Sequence, residues 1–146
     1  MNVIADVSDS ALQRAATQLG DALMAEHLTL CTAESCTGGW IAKILTDIPG
    51  SSAWFDCGMA AYSYEAKQAL LRVRPETLMT HGAVSKETAL EMVSGALITS
   101  GASLAVAGAT VSADGKTVSL TVDGVRPGRV VHIRSRRPFS AADGEQ

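Results

Sequence analysis

Apolar positions along the chain switch between two periods, and the switches mark the predicted elements. From Ser8 or Ser10, the residues Leu12, Ala15, Ala16, Leu19 and Leu23 recur at helical spacing, predicting an amphipathic helix that ends near Glu26 or His27. The run from Leu28 to Ala33 predicts a first strand. Trp40, Ile41, Ile44, Leu45 and Ile48 return to helical spacing, and Pro49-Gly50 ends that helix. Ser51-Ser52-Ala53 then starts a short helical turn carrying Trp54 and Phe55. Gly58 to Tyr62 is short and apolar, as suits a buried strand, and runs into a second strand-to-helix junction at Ser63-Tyr64-Glu65-Ala66-Lys67. Arg74-Pro75 breaks that helix, and a brief helical turn follows over Glu76 to Thr80. Ser85 reads as the next N-cap, with Ala89, Leu90, Val93, Ala96 and Leu97 facing inward. Leu104 to Ala109 is a third strand. Val118 to Val122 and Val130 to Ile133 alternate around Asp123-Gly124 as a closing antiparallel pair.

Strands that alternate with helices and end in two further strands predict an α/β sandwich around a mixed sheet. One domain is expected over residues 1–135, with a loose lead-in at 1–8 and a flexible tail at 136–146. Apolar residues at 47% and charged residues at 18% fit a globular protein, and aromatics at 4% leave the core to Ala, Val, Leu and Ile. A net charge of −3 without a broad basic excess argues against a nucleic-acid partner. The late arginines Arg126, Arg129, Arg134, Arg136 and Arg137 read either as a solvated tail or as a phosphate contact. Cys31, Cys36 and Cys57 lack zinc spacing, and His27, His81 and His132 are scattered, so no metal is expected. No apolar run is long enough to span a bilayer and nothing resembles a signal peptide, so a reduced, cytoplasmic setting without a membrane partner is expected.

The chemistry falls at two junctions. Thr32-Ala33-Glu34-Ser35-Cys36-Thr37-Gly38-Gly39-Trp40 reads as strand, tight turn and helix, with hydroxyls and glycines at the hinge. Free amides and a helix start there suit an anion, and a serine on such a turn suits a nucleophile. The same residues also read as an ordinary helix cap in which Ser35 or Thr37 satisfies amides. The second junction offers Tyr62, Ser63 and Lys67. Loops beyond the carboxyl ends of neighbouring strands converge, so the two junctions can face each other. Ser35 would then be a nucleophile, Lys67 its base, and Tyr62 a group that relays or orients the proton. Ser63 and Lys67, four residues apart, form a rival dyad. Lys67 also reads as a surface lysine, Tyr62 as a core tyrosine, and Cys36 as a small buried filler.

Four motifs in series, Thr-Ala-Glu-Ser-Cys-Thr-Gly-Gly (32–39), Pro-Gly-Ser-Ser-Ala (49–53), Tyr-Ser-x-Glu-Ala-Lys (62–67) and His-Gly-Ala-Val-Ser (81–85), resemble the CinA C-terminal domain family. These are competence/damage-inducible protein domains, and the family includes the nicotinamide-nucleotide amidohydrolases. The resemblance covers roughly residues 10–108. It implies a three-layer α/β/α sandwich that hydrolyses nicotinamide mononucleotide to nicotinate mononucleotide and ammonia, without a metal or cofactor. By position it makes Ser35 the nucleophile, Lys67 the base and Tyr62 the assisting hydroxyl, with Thr37, Gly38, Gly39 and Ser63 lining the substrate pocket.

The last third departs from that pattern. Where the family carries a glycine-rich loop, this chain has Ala109-Thr110-Val111-Ser112-Ala113-Asp114-Gly115-Lys116, and with eight residues after Arg136-Arg137-Pro138 no counterpart of the family's terminal helix is expected. Glycine amides are natural donors to a phosphate or an oxyanion, and Asp114 would repel a phosphate. A second reading is therefore a catalytically impaired paralogue that keeps the fold and binds a nucleotide or a protein. Apolar surface left uncovered by a missing helix predicts a homo-oligomer, a dimer.

Overall fold

A computed structural model describes residues 8–111, 117–123 and 130–134, with side chains from Ser8 to Gly108. The expected lead-in up to residue 7, residues 112–116 of the rewritten stretch 109–116, and the tail 136–146 lie outside the described residues. The elements run α1 (Asp9–Ala25), β1 (Leu30–Glu34), α2 (Trp40–Thr46), a 3-10 turn (Ser51–Ala53), β2 (Phe55–Ala60), α3 (Tyr64–Leu71), α4 (Pro75–His81), α5 (Lys86–Ser100), β3 (Leu104–Val111), β4 (Thr117–Asp123) and β5 (Val130–Arg134).

One sheet, in the order β2-β1-β3-β4-β5, organises them. β1 pairs in parallel with β2 and β3, whereas β4 is antiparallel to both β3 and β5, so the sheet is mixed as the pattern predicts. Alternation along the central strands feeds two cores. Leu30, Leu104 and Val106 pack with Ala16 and Leu23 of α1, Leu45 of α2 and Trp54. Cys31, Ala33, Ala105 and Ala107 take the opposite face, against Leu71, Leu78, Ala89, Met92, Val93 and Ala96. Helices on both faces of one sheet make this a three-layer α/β/α sandwich. Small alanines on the second face let α5 lie close to the strands.

Two helix starts follow the predicted positions, where Ser8 accepts from Ala11 and Ser85 from Thr88. Ser63, read as a rival hydroxyl, caps α3 by accepting from Ala66. Boundaries move where burial overrides the local pattern. β1 begins two residues later than the apolar run and extends through Glu34, because every residue from Leu30 to Glu34 is buried. β2 starts at Phe55, and Ala61 and Tyr62 fall beyond its end. Leu90, expected to face inward, is 39% exposed, and Met92 takes the core position with no exposure.

The helix carrying Lys67 is seated by a close backbone approach. Gly95 of α5 lies against Leu71, so that a Cβ at Gly95 would run into the Leu71 carbonyl. Thr99 Oγ1 donates to the neighbouring Leu70 carbonyl at 3.2 Å. Gly95→Ala is expected to destabilise the fold by about 3 kcal/mol, since rigid backbone has to move to admit the methyl group. Urea denaturation of the two proteins checks this.

Candidate active site

The site is assembled at the carboxyl ends of three neighbouring strands. The Ala61 amide donates to the Glu34 carbonyl at 2.8 Å, which joins the second junction to the first, and the Ser35 amide donates to the Gly108 carbonyl at 3.3 Å. The Glu34–Ser35 peptide is therefore held from both sides of β1.

The loop that follows closes on itself. Gly38 N–H donates to the Ser35 carbonyl at 2.9 Å and Trp40 N–H to the Thr37 carbonyl at 3.0 Å. The second of these turns has left-handed backbone at both of its central residues, and Gly38 (φ 61°) and Gly39 (φ 95°) supply it. Neither Ser35 nor Thr37 caps α2, as one reading of the sequence allowed; Gly39 stands at the N-cap without a side-chain bond. The cap comes from Glu34, whose fully buried carboxylate accepts from Ile41 N–H at 2.9 Å and Ala42 N–H at 2.8 Å. Thr32 Oγ1 donates to the same carboxylate at 3.1 Å. This corrects the expectation of an open anion site at the helix start, because a carboxylate from the chain already holds those amides. The sequence reading missed Glu34; its signal was an acid at the end of an apolar strand run, where only a partnered charge is tolerated.

Among the described residues, the N–H groups of Cys36, Thr37 and Gly39 keep no hydrogen-bond partner. Thr37 Oγ1 is sealed from solvent and is also unpartnered there, lying where a Cβ on Gly108 would come within 3.0 Å of it.

Lys67 reaches into this loop from α3. It has no exposure to solvent, and Ser35 is 5% exposed. Lys67 Nζ donates to Ser35 Oγ at 2.9 Å, to the Ala61 carbonyl at 2.9 Å and to the Tyr62 carbonyl at 2.8 Å. The two junctions thus meet, and Lys67 is a buried lysine. No carboxylate pairs with it among the described residues. Burial pushes its pKa below the usual lysine value, and nearby Cys36 opposes that shift more weakly. Ser63, the rival hydroxyl, instead caps α3 through a 3.0 Å bond from Ala66 N–H. Tyr62 contributes its carbonyl, while its ring is 63% exposed and its hydroxyl makes no bond among the described residues.

The two carbonyls decide what the nitrogen can do. They only accept, so in the neutral amine they hold both N–H groups and the lone pair is left toward the Ser35 hydroxyl. In the ammonium all three protons have acceptors. The pair can therefore take a proton from the serine and hold it. Among the described residues no group of three or more His, Cys, Asp or Glu side chains could hold a metal ion. No helix there is long and apolar enough to cross a membrane.

Comparisons with known proteins cover the segment that holds these residues. The family model described as "CinA C-terminal domain" matches residues 12–124. The chain is 52% identical over 101 residues to a protein of Escherichia coli K12 named nicotinamide-nucleotide amidohydrolase PncC, covering 69% of this chain and 61% of that protein. Two solved structures share the fold. A competence/damage inducible protein, CihA, from Agrobacterium tumefaciens is 38% identical, with a TM-score of 0.69 over 92% of this chain and 83% of that one. A CinA superfamily protein from Klebsiella pneumoniae 700603 is 33% identical, with a TM-score of 0.73 over 89% and 86%.

Two outcomes are expected. Glu34→Ala strands the Ile41 and Ala42 amides and lowers stability by about 1–3 kcal/mol in urea denaturation. The depressed Lys67 pKa has a definite sign. Between its lowered value and the usual 10.5, the unfolded chain binds more protons than the folded one, so the lysine's cost to stability fades as pH rises. Denaturation at neutral and alkaline pH should show wild type gaining on Lys67→Met as the solution becomes more basic.

Proposed function

The chain belongs to the family of CinA C-terminal domains, and from that premise we propose that it hydrolyses the carboxamide of a nicotinamide nucleotide, releasing ammonia. The chain spans 61% of the length of its Escherichia coli relative. The observation that carries the reading is the 2.9 Å bond between a buried lysine and a serine on a strand-to-helix turn.

Ser35 Oγ attacks the carboxamide carbon as Lys67 Nζ takes the hydroxyl proton. The carbonyl electrons move onto oxygen, for which the free amides of Cys36 and Thr37 are the donors at hand. Collapse expels the amino group, which takes the proton back from Lys67 and leaves as ammonia. Water then gives a proton to the neutral amine and attacks the acyl-serine, regenerating Ser35 and yielding a carboxylate. Burial suits Lys67 to this cycle, because it raises the share of neutral amine at physiological pH. The Tyr62 hydroxyl, the assisting group that the resemblance implies, would act from the substrate side, since three acceptors already surround the Lys67 nitrogen. Thr37, Gly38, Gly39 and Ser63 are the residues that the resemblance implies for the substrate pocket. The setting proposed is cytoplasmic, with no cofactor and no nucleic-acid partner, and the assembly proposed is a homodimer.

Purified protein should release ammonia from nicotinamide mononucleotide. Ser35→Ala and Lys67→Ala should each lose at least about a thousandfold in kcat, as expected when nucleophile or base is removed. The rate of the wild type should climb with pH through the lowered pKa of Lys67, because only the neutral amine accepts the serine proton. Calorimetry showing that the mononucleotide binds while no ammonia forms would favour the impaired-paralogue reading instead.

A further inference from the structure

The chain has only six aromatic residues, two each of Phe, Trp and Tyr. Trp54 is buried at 1% exposure, and Trp40 and Phe55 are half-buried. Both tyrosines are left in the open, Tyr62 at 63% and Tyr64 at 43%, and both stand at the junction that delivers Lys67. A fold short of aromatic rings has therefore placed two of them outside the core, at the junction that carries the buried amine of Lys67.

Position narrows what they face. The Tyr62 carbonyl lies 2.8 Å from Lys67 Nζ, which puts the Tyr62 Cα within about 5 Å of that nitrogen by standard bond lengths. The backbone of Tyr62 is fixed by this bond, while its ring is bound by nothing among the described residues. The ring cannot serve the amine itself, because the three acceptors around Lys67 are Ser35 Oγ and two carbonyls. An anchored residue with a free, exposed ring beside a reactive pair is suited to meet the flat face of a guest.

We infer that Tyr62 is a specificity-determining residue whose ring stacks on the planar, electron-poor pyridinium of the substrate, holding the carboxamide over Ser35. This rests on the proposed function and adds to it the recognition of the ring. The face of a tyrosine is rich in electrons and attracts a cationic heterocycle. The ring, not the hydroxyl, supplies the affinity, so Phe should replace Tyr here and Ala should not.

Binding in a silent background separates the inference from the reaction. Nicotinamide mononucleotide is titrated by calorimetry into Ser35→Ala, Ser35→Ala/Tyr62→Phe and Ser35→Ala/Tyr62→Ala, with circular dichroism confirming that each is folded. The Phe variant is expected to bind within about threefold of its parent and the Ala variant about tenfold more weakly or worse. Ribose 5-phosphate, which lacks the heterocycle, should lose nothing in the Ala variant relative to its parent. Equal affinity in the parent and the Ala variant overturns the inference. So does a Phe variant as weak as the Ala variant, which assigns the effect to the hydroxyl, and so does a parent that binds no mononucleotide. If wild type releases no ammonia yet the binding pattern holds, the hydrolytic reading falls and ring recognition stands.

Discussion

A lysine with no exposure to water, and with no carboxylate paired to it among the described residues, is the constraint on which this structure turns. Such a group is tolerated only if its protons have acceptors, and the fold supplies two main-chain carbonyls and one hydroxyl. The carbonyls are there because Ala61 and Tyr62 lie just beyond β2, where the parallel ladder has been continued by the bond from Ala61 to Glu34. The hydroxyl is there because Ser35 occupies the equivalent place beyond β1. Pairing of the strands and solvation of the amine are thus one arrangement, and a slip of β2 against β1 would leave the lysine without acceptors.

Glu34 does for the other side of the site what the carbonyls do for Lys67. Its main chain receives β2, its side chain receives the first amides of α2, and the next residue bonds to β3. A buried carboxylate needs several donors, and a helix start needs acceptors, so each removes the other's deficit. The loop between them is short, glycine-bearing and bonded across its own turns, and it carries free amides next to the serine.

Much of this could be read from the residues. The period of Leu12 through Leu23, the breakers Pro49-Gly50 and Arg74-Pro75, and the helix starts at Ser8 and Ser85 are local signals, and the corresponding elements form where those signals stand. The facing of the two junctions follows from parallel strand topology, and the Ser35–Lys67 contact agrees with it. The helix-cap role of Glu34 was not legible, because it depends on side-chain reach across seven and eight residues and the eye goes to the hydroxyls beside it. The placement of Tyr62 was likewise hidden. Its residue type suits a core as well as a surface, and only the end of β2 at Ala60 decides between them.

Everything that brings the amine and the hydroxyl together lies between Glu34 and Gly108, and α2 is closed by an acid of the same segment. The geometry of the amine and the hydroxyl is therefore set within that one segment, and the start of α2 is filled by a carboxylate of the chain itself. Sequence beyond β3 can therefore change without removing any of the bonds that join the amine to the hydroxyl.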